Sequence, residues 1–307
     1  MTAYLKSKYE EEREVDVSAE IAVKADLSLI SQATNVIYVD NKRTDTYTEV
    51  GTYVLPFKTI QAAMDSITGN STSNRFCIKI ATGAVYTEAL ALNKDFVTLE
   101  GYGETILSGA ITLTAPHFRL KNLKTTGAVS GTYTVPFLAE ISDCSVDTGK
   151  WTVSCSVASA WVQISGGTTI WKSNIELSGV TGVVSCQSGY FEGVHTFTNC
   201  YMELIGFENY GGTINLEAGT EAHIGGALCI NTVVNLAEGA TLYVDAASAS
   251  GATLNNNGGT VHRVTDAQIN ASVLTGLSTE TATAITASDT ILAALGKLQA
   301  QINALGA

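Results

Sequence analysis

Basic residues, proline and long apolar runs are all scarce in this 307-residue chain, and each scarcity narrows what it can be. Lys and Arg number 17 against 29 Asp and Glu, a formal charge of −12 at pH 7. From Thr125 to His262 the Lys and Arg residues are Lys150 and Lys172 alone, against eleven carboxylates. Such a surface repels phosphate, so nucleic acid is not an expected partner. No run of 18 uncharged apolar residues occurs, and no membrane insertion is expected. The first 20 residues carry an acidic run where a secretory leader would be apolar, so export by that route is not expected either. Prolines number 3, where about 15 would be average. The six cysteines (Cys77, Cys144, Cys155, Cys186, Cys200, Cys229) form no Cys-x-x-Cys pair, so buried free thiols are expected, with no metal and no cofactor.

What the chain has instead is glycine, 28 residues of it, and an apolar fraction of 45 %, too high for disorder. Residues 1–35 form a charged, weakly amphipathic arm; too little of it is apolar to make a core. Residues 36–76 read as an opening strand, Asn35 to Asp40, and a short helix from Pro56 to Ile67, with Phe57, Ile60, Ala63, Met64 and Ile67 on one face. Residues 77–265 are short β-rich runs cut by Gly, Asn and Ser. Several share a central Asn or Asp, at Asn122, Asp143, Asn174 and Asn199, spaced 21, 31 and 25 apart; Asn215 and Asn235 follow at a spacing of 20. Strands alone, repeating every 20 to 30 residues, point to a parallel β-solenoid. Asn and Asp suit its corners because they tolerate the left-handed backbone and bond along a stack of like residues. Few prolines fit as well, since nearly every strand must donate to a neighbour. With about 22 residues and 4.8 Å of height per coil, the spacing predicts eight or nine coils and a body about 40 Å tall. The alternative on this pattern is an antiparallel sandwich.

The segment Tyr38-Val39-Asp40, followed by Pro56-Phe57-Lys58-Thr59-Ile60-Gln61-Ala62-Ala63-Met64-Asp65, resembles the opening module of pectate-lyase-like right-handed β-helices, in which the helix caps the solenoid. An all-β, right-handed parallel β-helix is what the resemblance implies. That fold serves enzymes and passive fibres alike.

Residues 266–307 are rich in Ala and Thr. Ile291, Leu295, Leu298, Ile302 and Leu305 fall at spacings of 4, 3, 4 and 3, a two-heptad seam on a short C-terminal helix. Docking on the β-body would bury the same stripe. Two heptads are too short to associate unaided, so a coiled-coil bundle requires bodies already held together. The run from Ala287 to Asn303, with Leu-Gly-Lys-Leu-Gln-Ala-Gln-Ile at its centre, is similar to segments near the C-termini of bacteriophage fibre and spike proteins. The resemblance implies a homotrimer on the exterior of a virion, made in the host cytoplasm. Its N-terminal arm, through Tyr4, Tyr9, Val17, Ile21 and Leu27, would attach to a capsid or tail and baseplate protein.

Chemistry is thin. Trp151, Trp161 and Trp171 recur at intervals of ten: exposed, they would stack on the sugars of a host-surface polysaccharide; buried, they are core. Glycoside hydrolysis needs two carboxylates about 5 to 10 Å apart. Asp143 with Asp147, or Glu140, Asp143 and Glu176 on adjacent coils, are the pairs that suggest themselves, but solvated carboxylates need no such role. Lyase chemistry generally needs a basic residue to take the proton and neutralise the uronate, and the middle coils offer almost none. Of the four histidines, stacked coils would align His195 with His223 at best, and no metal-ligand spacing occurs. The expectation is a non-enzymatic head or tail fibre that adheres to glycans. The alternatives are a depolymerising tailspike, which two carboxylates in one groove beside aromatic rings would favour, and a bacterial surface adhesin.

Overall fold

A computed structural model of the chain describes residues 35–157, 160–166, 170–172, 174–187, 190–205, 208–225, 228–245 and 251–264, with Lys297, Leu298, Ala300, Gln301, Ile302 and Ala304. The residues expected to attach to a particle, Tyr4, Tyr9, Val17, Ile21 and Leu27, and Ile291, Leu295 and Leu305 of the expected seam, lie outside the described residues.

The body is a parallel β-solenoid. Its chain passes in turn through three sheets of eleven, eight and nine strands, and the eight-stranded sheet sets the number of complete coils at eight. Strands pair in parallel with the coil before and the coil after, as Val97–Gly101 does with Phe76–Ile80 and His117–Lys121. Alternation does the sorting. In the eleven-stranded sheet Phe118 and Leu120, Ala139 and Ile141, and Met202 and Leu204 point inward and are buried, while Arg119, Glu140 and Glu203 between them point out. Each buried Leu, Ile or Phe contributes about 1.5–3 kcal/mol.

The opening helix, α1 (Ile60–Ser66), is shorter than the amphipathic pattern suggests, because Thr59 caps it: its Oγ1 accepts from the Ala62 N–H at 3.1 Å. The Glu88 carboxylate accepts from the N–H groups of Ile60 at 2.7 Å and Gln61 at 3.0 Å, pinning the helix to the first coil. Ile60, Ala63, Met64 and Ile67 are fully buried beneath it. The helix thus covers apolar core that an open solenoid end would expose.

The corners correct the sequence reading. Asn122 and Asp143 stack on one corner, after the eleven-stranded sheet, each with φ 53°. Asn199, φ 50°, turns a different corner, from the nine-stranded sheet back to the eleven-stranded one, in a stack continued by Gly219, Gly239 and Gly258. Asn174 sits at the third corner and has no left-handed backbone. The spacings of 31 and 25 therefore span changes of corner; only the 21 is one coil. The true side-chain ladder is Thr196, Asn215, Asn235 and Asn255 on the outside of the nine-stranded sheet, in register on four successive coils.

Inside, Trp151 and Trp171 meet edge to face at 4.9 Å, Trp171 and Phe191 at 6.4 Å, and Phe191 lies 4.6 Å from His195. A cavity of about 10 Å³ beside Trp151, Trp171 and Phe137 is the size of one water molecule. Nothing larger is accommodated there. Cys77, Cys144, Cys155, Cys186 and Cys200 are free and buried. Burial pushes the thiols of Cys77 and Cys144 up to about 12 and that of Cys200 to about 11, so none supplies a thiolate near neutral pH.

Candidate functional site

The outer face of the eleven-stranded sheet gathers the side chains with chemistry, in columns fixed by the parallel register. One column runs His117, Leu138, Trp161, Val183, Tyr201, Glu221 and Thr241, and the next Arg119, Glu140, Gln163, Ser185, Glu203, His223 and Tyr243.

The lower part of this face is closed by its own pairs. Arg119 Nη2 lies 2.7 Å from Glu140 Oε1, and Glu100 bridges Lys121 at 3.0 Å and Lys79 at 3.9 Å. Burial raises the Glu140 carboxyl against the opposing pull of Arg119. Above these, Leu138, Trp161 and Val183 form a second apolar cluster outside the solenoid core, with Phe96 and Tyr201 packed against it; the three are only 3 to 7 % exposed.

The upper part is more open. Tyr201 and Glu203 occupy one strand, Glu221 and His223 the next, as a square in which Tyr201 faces Glu221 and Glu203 faces His223. His223 Nε2 is 2.8 Å from Glu221 Oε1, and the Tyr201 hydroxyl donates to Glu203 Oε1 at 3.4 Å. His223, Tyr243 and His262 then stack along the solenoid axis, with ring centroids 4.4 and 4.5 Å apart and planes within 12° and 9°. The Tyr201 ring is tilted 56° from His223. By strand geometry Glu203 and Glu221 have Cα atoms about 8 Å apart. Two carboxylates, two phenols and two imidazoles thus line one surface.

The residues singled out in the sequence fall elsewhere. Trp151 and Trp171 are 2 and 1 % exposed inside the solenoid, with no ring face open to a sugar; Trp161 points outward but is 7 % exposed in its apolar cluster. Glu140, Asp143 and Glu176 are on three different surfaces: the eleven-stranded sheet, a corner, and the nine-stranded sheet, where Glu176 pairs with Lys150 at 2.5 Å. Asp147 pairs with Lys124. His195 faces inward from the nine-stranded sheet and His223 outward from the eleven-stranded one, so they do not align. The Tyr201–Glu203–Glu221–His223 square went unread, although its signal is present: Glu203, His223 and Tyr243 recur at intervals of 20, one coil apart.

Among the described residues no three His, Cys, Asp or Glu side chains converge to hold a metal ion, and no helix is long and apolar enough to cross a membrane. The fold defines a parallel β-solenoid protein with one capped end and a polar, aromatic outer face. Compared with protein-family models, curated proteins and solved structures, the chain matches none.

Proposed function

We propose that this protein is a structural appendage of a bacteriophage particle, a homotrimeric head or tail fibre whose solenoid is the shaft. Its coils are taken as right-handed, the usual hand of a parallel β-crossover. The arm bearing Tyr4, Tyr9, Val17, Ile21 and Leu27 anchors it to a capsid, tail or baseplate protein, and the C-terminal helices join three chains. The outer face of the shaft adheres to host or environmental glycans without cleaving them.

The observation that carries this reading is the state of the seam. Leu298 and Ile302 lie on one helical stripe and are 43 and 52 % exposed, whereas Ala300, off that stripe, is buried. In a single chain the Leu298 and Ile302 side chains stay open to water, and burying them against like residues is the simplest way to remove that apolar surface. Because two heptads do not associate alone, the shafts beside them supply the rest of the contact. A variant lacking residues 1–33 is expected to fold and to fail to enter particles; normal incorporation would refute the anchoring role.

A second reading, a glycoside-cleaving tailspike, draws support from Glu203 and Glu221, diagonal neighbours beside Tyr201 on one face. Release of reducing ends from host capsule by the purified protein, lost in Glu203→Gln, would establish it in place of the first.

A further inference from the structure

We propose that the square of Tyr201, Glu203, Glu221 and His223, with the ring edges of Tyr243 and His262 beside it, is a binding site for an uncharged saccharide. The proposal rests on the adhesion reading above and moves that adhesion from the tryptophans to this surface.

The site has a rigid floor. Met202, Leu204, Ala222 and Ile224 alternate with the site residues along the same two strands and are buried in the core. Its side chains are held before any ligand arrives. Glu221 fixes the His223 ring, Glu203 takes the Tyr201 hydroxyl, and the stack fixes Tyr243 and His262. A ligand therefore meets ordered groups, and little side-chain freedom is lost on binding.

What these groups present is a mixed grid of donors and acceptors. Each carboxylate has about four lone-pair sites, of which the Glu221–His223 and Glu203–Tyr201 contacts each use one. Phenol hydroxyls and imidazole nitrogens both donate and accept. Adjacent hydroxyls on a pyranose ring, each a donor and an acceptor, match such a grid. The Tyr201 ring, tilted 56° from His223 and packed against the cluster of Leu138, Trp161 and Val183, is partly exposed and offers an apolar edge to the C–H groups of a sugar.

Charge selects the class. Glu203 and Glu221 lie on a stretch in which the sequence has no Lys or Arg between Lys172 and Arg263. Among the described residues no Lys or Arg lies on the strands of these two carboxylates or on the strands next to them, so they repel uronates, sialic acids and sulfated sugars and leave neutral hexoses and N-acetylhexosamines as ligands.

The test is binding of the full-length protein to an array of neutral and anionic glycans, followed by titration with the best neutral oligosaccharide. Binding confined to neutral members, weakened at least tenfold in Tyr201→Phe and in Glu221→Gln and unchanged in Thr152→Val on the nine-stranded sheet, is the expected result. Neutral binding that survives both site variants would overturn the placement and leave adhesion standing. Binding to anionic glycans alone would overturn the ligand class. No binding to any glycan would remove the adhesion reading and this site with it. Circular dichroism of each variant separates loss of binding from loss of fold.

Discussion

The side-chain amide of Asn235 donates to Asn215 Oδ1 at 2.7 Å, while its own Oδ1 accepts from Asn255 at 2.9 Å. Asn215 in turn donates to Thr196 Oγ1 at 3.2 Å. Four coils are tied by one continuous row outside the core, and Asn235 is one of its two inner links. Asn235→Ala removes two hydrogen bonds and is expected to cost about 1–2 kcal/mol, less than two full bonds because water replaces part of what is lost. Urea denaturation measures it. An unchanged midpoint would show that the row contributes nothing to stability.

Glycine matters most where coils approach along one column. A Cβ on Gly127 would lie 1.9 Å from the carbonyl oxygen of Gly109 in the coil below, and one on Gly149 would lie 1.8 Å from that of Gly127. Backbone cannot yield at one coil without shifting the next. Gly127→Ala is expected to destabilise by about 3 kcal/mol or more, or to prevent folding. Near wild-type thermal stability in that variant would contradict the close stacking.

His195 is fully buried, and neither of its ring nitrogens has a hydrogen-bond partner. Burial lowers its pKa from 6.5 to about 3. In the unfolded chain the imidazole takes up a proton near pH 6.5, while in the folded one it stays neutral down to about pH 3. Between those values the unfolded state binds more protons, so stability is full above pH 6.5 and falls as the pH drops toward 3. Replacement by Phe keeps a ring beside Phe191 and removes the titration. The loss of urea midpoint between pH 7 and pH 4 is expected to be smaller in His195→Phe than in the wild type; equal losses would contradict a neutral buried imidazole.

The sequence reveals this architecture unevenly, for physical reasons. The capping helix and first strand are legible because Ile60, Ala63, Met64 and Ile67 obey one period and pack on one surface. The solenoid is legible from the strand repeat. Corner assignment is not, since Asn serves two different corners at Asn122 and Asn199, and Gly takes over at Gly219 and Gly239. The tryptophans show the same limit. An interval of ten places Trp151 and Trp171 inside and Trp161 outside, because the coil changes sheet between them. The outer-face square is hidden for a related reason: its members are 2, 18, 20 and 22 residues apart, a relation that means proximity only once the coil length is known.

The central claim, that the chain works as an assembled shaft closed by its C-terminal seam, is tested most directly by mass. Sedimentation equilibrium of the full-length protein at micromolar concentration is predicted to give three times 32.2 kDa. Leu298→Asp with Ile302→Asp places like charges in the seam and is predicted to reduce that mass to one chain while leaving the β-sheet circular dichroism intact. A wild-type mass of 32.2 kDa at that concentration, or a trimer indifferent to both substitutions, would contradict the account.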